Sequence, residues 1–153
     1  MDEVEQKFEI QKIYVKDLSF ESPHAPAVFR QQWKPKTDIQ LSTQNAKIEE
    51  DTYEVTLHIT VTSAQDDKTA FLVDIKQSGV FLVKGFSQEQ HNHLLGSYCP
   101  HTLFPFAREA ISDFVSKGGF PPLILSPVNF DALYSQQLAK LKSQETATSD
   151  TKH

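Results

Sequence analysis

Residues 52–63, TYEVTLHITVTS, constrain the fold more than any other segment. Tyr53, Val55, Leu57, Ile59 and Val61 alternate with Thr52, Glu54, Thr56, His58, Thr60 and Thr62. A period of two over a dozen residues is a strand with one face in a core and one in water, as in an antiparallel sheet. Such a strand needs partners on both sides and a cover over its apolar face. AQDDK follows as a hairpin turn. It leads into a second long strand, 69–84, where Phe71, Val73, Ile75, Phe81 and Val83 share one face and Leu72, Val80 and Leu82 the other. Apolar groups on both faces are expected if one face meets another subunit.

Two further strands complete the set. In 8–20, Phe8, Ile10, Tyr14, Leu18 and Phe20 have one parity and Ile13 and Val15 the other, with Asp17 and Glu21. Mixed parity implies a bulge or a second packing partner. A short strand is expected over 37–41, with STQNAKIEED after it as a turn region. Between these two lies 22–35, SPHAPAVFRQQWKP, whose three prolines make it a connection. Its length marks it as a loop of functional interest, and Phe29 and Trp33 need covering.

Helices take the rest. Ser87 and Gln90 form a capping box opening a short helix that Gly96 stops. The main helix is expected over 102–117, with Leu103, Phe106, Ala107, Ala110, Ile111, Phe114 and Val115 at helical spacing and Pro105 in its first turn. A last helix is expected over 131–142, capped by Asn129 or Asp131, and 143–153 as a polar, disordered tail. The sum is α+β: a four-stranded antiparallel sheet with helices on one side, one domain over 1–142.

Composition excludes several functions. A net charge of −5 over 153 residues lacks the basic stripe of a nucleic-acid binder. No apolar run is long enough for a membrane span, so no membrane insertion is expected. The first dozen residues have neither a basic start nor an apolar run, so no secretory signal is expected. One cysteine, Cys99, allows no intrachain disulfide and fits the cytoplasm. No phosphate-binding loop, dinucleotide fingerprint, H-E-x-x-H or paired C-x-x-C occurs, so no cofactor is expected and ATP would have to come through a partner.

The chemistry-bearing candidates are few. His91, His93, Cys99 and His101 are the nearest approach to a metal set, but His91 and His93 point about 200° apart on a helix. Cys99 as a nucleophile has no base fixed by the sequence, and a buried structural thiol is the simpler reading. Asp17 and Glu21 lie on one side of a strand, ~13 Å apart, too far for an acid–base pair. They are a solvated face or an acidic docking face, joined by Asp74 if the first and last strands share a surface. Phe29, Trp33, Ile39, Leu41, Leu133 and Tyr134 are core residues or the walls of an apolar groove.

Two segments carry a resemblance. IQKIYVKDLSFESPHAP, and GSYCPHTLFPFAREAISDFVSKGGFPPLILSPVNFDALY, resemble the SecB family of bacterial export chaperones. The likeness spans about residues 8–138. It implies a cytoplasmic homotetramer, a dimer of dimers, that holds unfolded precursor proteins and passes them to the SecA ATPase. Through YVKDLSFE and AFLVDI it implies SecA docking at Asp17, Glu21, Leu72 and Asp74, the last often Glu in the family. It implies tetramer contacts at Val73, Ile75 and Gln77, and a client groove walled in part by Trp33 and its loop. Phe106 stands where the family often has Tyr, and Ala110 where it often has Cys. The near-neutral tail after residue 142 weakens the expectation that it contacts SecA. A general or antitoxin-associated relative with other clients remains the alternative.

Overall fold

The computed structural model describes residues 5–150, with side chains as far as Gln144. Four strands, β1 (Lys7–Glu21), β2 (Lys36–Glu49), β3 (Thr52–Gln65) and β4 (Lys68–Lys84), form one antiparallel sheet in the order β1-β4-β3-β2. Three helices follow: α1 (Gln88–His93), α2 (Cys99–Lys117) and α3 (Phe130–Asp150). The α+β class and helices after strands agree with the sequence.

The alternating segment is the inner strand β3. Val55, Leu57, Ile59 and Val61 are fully buried, and so are Val73 and Ile75 opposite on β4. Leu103, Ala107, Ile111 and Val115 of α2 close this core from one side. The hairpin between β3 and β4 turns on Asp66 and Asp67, both at positive φ (51° and 62°), the conformation that matches the twist of the strands it joins.

Two bulges in β1 explain its mixed parity. Register shifts between Ile10 and Lys12, and between Val15 and Asp17, leave Gln11 and Lys16 as extra residues. The first shift puts Ile13 and Val15 on the same face as Phe8 and Ile10. The second restores Leu18 and Phe20 to it. Tyr14 therefore moves to the opposite face, with Asp17 and Glu21, against the parity expected from simple alternation.

Other boundaries differ from expectation. β2 does not end at 41; it pairs with β3 as far as Glu49, so the polar run taken for a turn is strand. As an edge strand it has only one neighbour, and the polar side chains of STQNAKIE suit its exposure. Gly96 does not stop a helix: Leu94–Tyr98 is a π-helical segment joining α1 to α2. α2 starts at Cys99, which places Pro105 inside the helix, where its missing N–H leaves the His101 carbonyl without the usual bond. Phe104, not Phe106, is on the buried side; it is 5% exposed, whereas Phe106 is 49% exposed. The capping box of Ser87 and Gln90 is present, and Asn129 caps α3 by accepting from the Ala132 N–H. α3 continues past 142 to Asp150. The last three residues of the expected tail lie outside the described residues.

The face away from α2 is polar and cross-linked. Tyr14 reaches over β4 to donate to Glu54 of β3, and the extra residue Lys16 donates to Glu54 Oε1 at 2.8 Å. Beneath, Thr56 and Ser78 are hydrogen-bonded and buried. Lys16 and Tyr14 hold the Glu54 carboxyl below its ordinary range. Burial, then the Glu54 hydrogen bond and charge, push the Tyr14 phenol from 10.0 up to about 12. A folded value above the unfolded one stabilises the fold fully below pH 10 and stops doing so as pH rises through about 12. Ultraviolet titration of the four tyrosines is expected to show one phenol ionising near pH 12, and Tyr14→Phe is expected to remove that component.

Candidate functional site: apolar clefts about the last helix

α3 is held at its start and open along its length. Phe130 is buried against Phe104, with ring centroids 5.9 Å apart. Asp131 accepts from Ser97 and lies 2.8 Å from His93 Nε2. The Ser97 hydroxyl and then His93 hold the Asp131 carboxyl below its ordinary range. One turn on, the Tyr134 ring lies on Gly96, where a Cβ would come within 2.6 Å of Cδ2. Glycine is required there by close approach. Leu133 beside it, and Leu138 and Leu141 beyond it, are 41%, 40% and 52% exposed.

Clefts flank the helix. One of ≈ 240 Å³ lies between β2 and α3, lined by Leu41, Ser42, Thr43, Phe130, Leu133 and Tyr134 among others. A second, ≈ 310 Å³, runs on past Thr43, Asn45, Tyr53 and His91 to Leu138 and Leu141. A third, ≈ 400 Å³ and mostly apolar, lies between Phe86, Leu94, Tyr134 and Leu138. Tyr134 lines all three.

Of the expected groove residues, the structure brings Leu41, Leu133 and Tyr134 together. Ile39 is two residues from Leu41 on the same face of β2 and is 47% exposed. Phe29 and Trp33 form a separate aromatic cluster, 5.1 and 5.2 Å from Phe120, with Trp33 also stacked near Phe71. The loop that carries them is fixed by Ser22 Oγ donating to the Ala70 carbonyl and by Lys34 N–H donating to Gln65 Oε1. Gly96, Leu138, Leu141, Tyr53 and Phe86 were not read from the sequence as groove residues. The helical step from Tyr134 to Leu138 and Leu141 was the available signal.

On the opposite face, Asp17, Glu21, Leu72 and Asp74 do share one surface. Glu21 pairs with Leu72, Ser19 with Asp74 and Asp17 with Lys76. Asp74 is not a free anion: Thr60 donates to its Oδ1 at 2.5 Å and His58 Nε2 lies 2.8 Å from the same oxygen. Burial opposes its ionisation, but these hydrogen bonds and the charges of His58 and Lys76 outweigh burial and hold the carboxyl below its ordinary range.

Val73, Ile75 and Gln77 lie in the core of the chain itself. They are 0%, 0% and 2% exposed without any second copy present, so an effect on assembly would have to pass through α2 or β1. The Gln77 amide donates to the Tyr14 carbonyl, and its Oε1 has no partner among the described residues.

The reactive candidates do not assemble. Cys99 is fully buried, and burial pushes its thiol up to about 12, where thiolate is scarce at neutral pH. His91 packs edge-on against Tyr53, while His93 turns to Asp131 and His101 to Phe130. Among the described residues no three His, Cys, Asp or Glu groups are placed to hold a metal ion. No helix among them is long and apolar enough to cross a membrane.

A sheet covered on one side only, with apolar clefts about a lightly held helix, defines an α+β class of protein with open apolar surface beside α3. The fold is similar to that of a SecB-like chaperone of Mycobacterium tuberculosis, solved in complex with a ChAD peptide from the HigA1 antitoxin. That structure matches with a TM-score of 0.66 over 79% of this chain and 90% of its own, at 14% identity. The SecB family, described as preprotein translocase subunit SecB, matches residues 1–141, and the chain belongs to it. Among curated relatives, protein-export protein SecB of Nitrosococcus oceani is 55% identical over 143 residues, covering 92% of this chain and 87% of that protein. The protein of the same description from Methylococcus capsulatus is 51% identical over 140 residues, covering 92% and 90%.

Gly96→Ala tests the seat of α3. The added methyl is expected to push Tyr134 away and cost about 1–3 kcal/mol in denaturant unfolding. In a Tyr134→Ala background the same change is expected to cost far less, since the clash is gone.

Proposed function

We propose that the chain is an ATP-independent holdase that binds unfolded precursor proteins in the cytoplasm and delivers them to SecA. The observation that carries the reading is the set of apolar clefts about α3. Family membership over residues 1–141 supports the export role. An unfolded client offers apolar side chains in no fixed order, and adaptable walls of Leu, Phe and Tyr accept many such segments. Ile39 extends the apolar lining along β2, and Phe29 and Trp33 add a separate aromatic patch beside Phe120. The chain has no nucleotide loop, so release is driven by a partner that binds the loaded and empty states with different affinity.

Delivery uses the polar face, where Asp17, Glu21, Leu72 and Asp74 lie side by side on β1 and β4. The clefts are formed on the other side of the sheet, so client and SecA do not compete for one surface.

A homotetramer accounts for the remaining apolar surface. Ile10 and Val15 on the α2 side of β1 are 43% and 49% exposed, and Phe106 stands out from α2. The unpartnered Gln77 Oε1 lies under this region. Covering it with further copies removes an aggregation hazard and joins several clefts into a longer groove.

The test is binding of a slow-folding, signal-bearing precursor at micromolar protein, then challenge with SecA. Retention of the unfolded client and its transfer to SecA are expected. Asp17→Lys and Asp74→Lys are expected to weaken SecA binding roughly tenfold or more while client binding persists. Failure to hold any unfolded client would remove the holdase reading. Client binding without SecA affinity would favour a chaperone with other clients. Light scattering is expected to give about four times the 17.3 kDa chain mass.

A further inference from the structure

Both protein donors to Asp74 end on the same oxygen. Thr60 Oγ1 is 2.5 Å and His58 Nε2 is 2.8 Å from Oδ1. An ionised carboxylate has no proton to give, so His58 must donate from Nε2. No hydrogen bond among the described residues ends on Oδ2. The Asp74 side chain is 27% exposed and that of His58 36%, so solvent reaches both.

We infer that His58 is a positioning residue for docking: with Thr60 it fixes Oδ1 of Asp74 and leaves Oδ2 presented to a cationic side chain of the partner. The inference rests on the SecA-docking reading and names the residue that sets its geometry. Without His58 the carboxylate could rotate and share both oxygens with Thr60 and Lys76. An oriented carboxylate gives a stronger charge-assisted bond than a mobile one.

The surrounding charges define the face that the oriented oxygen joins. On β4, Lys76 is two residues from Asp74 on the same face. On β1, Asp17 is opposite Lys76, and Glu21 is opposite Leu72. On β2, uncharged Ser42 is opposite His58, and Asp38 lies opposite Thr62.

The experiment is calorimetric titration of the full chain with SecA at one fixed pH. His58→Gln, which keeps a donor at similar reach, is expected to bind like wild type. His58→Leu is expected to bind roughly three- to tenfold more weakly. Thr60→Val, which removes the other donor to Oδ1, is expected to weaken binding in the same direction and serves if His58→Leu does not fold. Wild-type affinity in His58→Leu, or in Thr60→Val where that variant stands in, overturns the inference. So does a loss in His58→Gln as large as in His58→Leu. These results leave the docking reading intact if Asp74→Lys still weakens binding. Absence of SecA binding by wild type removes the docking reading and the inference with it.

Discussion

The pairing of β3 with β4 beneath α2 is the constraint on which everything else rests. Val55, Leu57, Ile59 and Val61 face Gly79, Gln77, Ile75 and Val73 in register, and every one of these side chains is buried. α2 meets them with Leu103, Ala107, Ile111 and Val115. Gly79 belongs to this contact, because a Cβ there would come within 2.8 Å of the Phe81 ring and 3.1 Å of Leu103. Each buried aliphatic side chain contributes about 1.5–3 kcal/mol of transfer free energy, so a handful of them dominates the stability of a chain this size.

One long helix cannot cover four long strands. α2 packs on the two inner strands, and the edge strands β1 and β2 are left with apolar groups in the open. The uncovered part of β2 becomes a wall of the clefts, with α3 across from it. The uncovered part of β1 leaves Ile10 and Val15 exposed. Cleft and exposed apolar edge thus follow from the same shortage of cover, on opposite edges of one sheet. The bulges in β1 sharpen the division. By switching parity twice they keep Ile13 and Val15 on the α2 side while sending Tyr14, Asp17 and Glu21 to the polar side.

The inner strands were legible because burial on one face writes an unbroken period of two into the sequence. β1 was legible as a strand but not in its facing, since a bulge shifts parity without leaving a composition mark. β2 beyond Leu41 was missed because an edge strand needs no apolar alternation: its backbone pairs on one side whatever STQNAKIE carries. Phe106 was read as core because it keeps helical spacing with Leu103 and Ala110, but Phe104, two residues earlier, keeps it with Ala107 and Ile111 and takes the buried place. Asp17, Glu21, Leu72 and Asp74 were placed on one surface by the register of β1 with β4, which residue spacing left conditional. The groove residues divided, since Phe29 and Trp33 belong to the Phe120 cluster and Leu41, Leu133 and Tyr134 to the cleft. That separation depends on the path of a proline-rich loop, which no periodicity encodes.

The two faces of the sheet differ in kind as well as in polarity. Toward α3, the surface offers shape-tolerant apolar contact, and the helix that forms the far wall is fixed mainly by its first turn and a half. Toward solvent, the polar groups are tied to one another: Tyr14 and Lys16 to Glu54, Thr56 to Ser78, His58 and Thr60 to Asp74. A network with its donors already committed can present a defined charge pattern, because its members are not free to rearrange around each ligand. A loose apolar cleft suits clients that share only their lack of structure, and a fixed polar face suits a single partner. The same β-strands, alternating between the two sides, supply both.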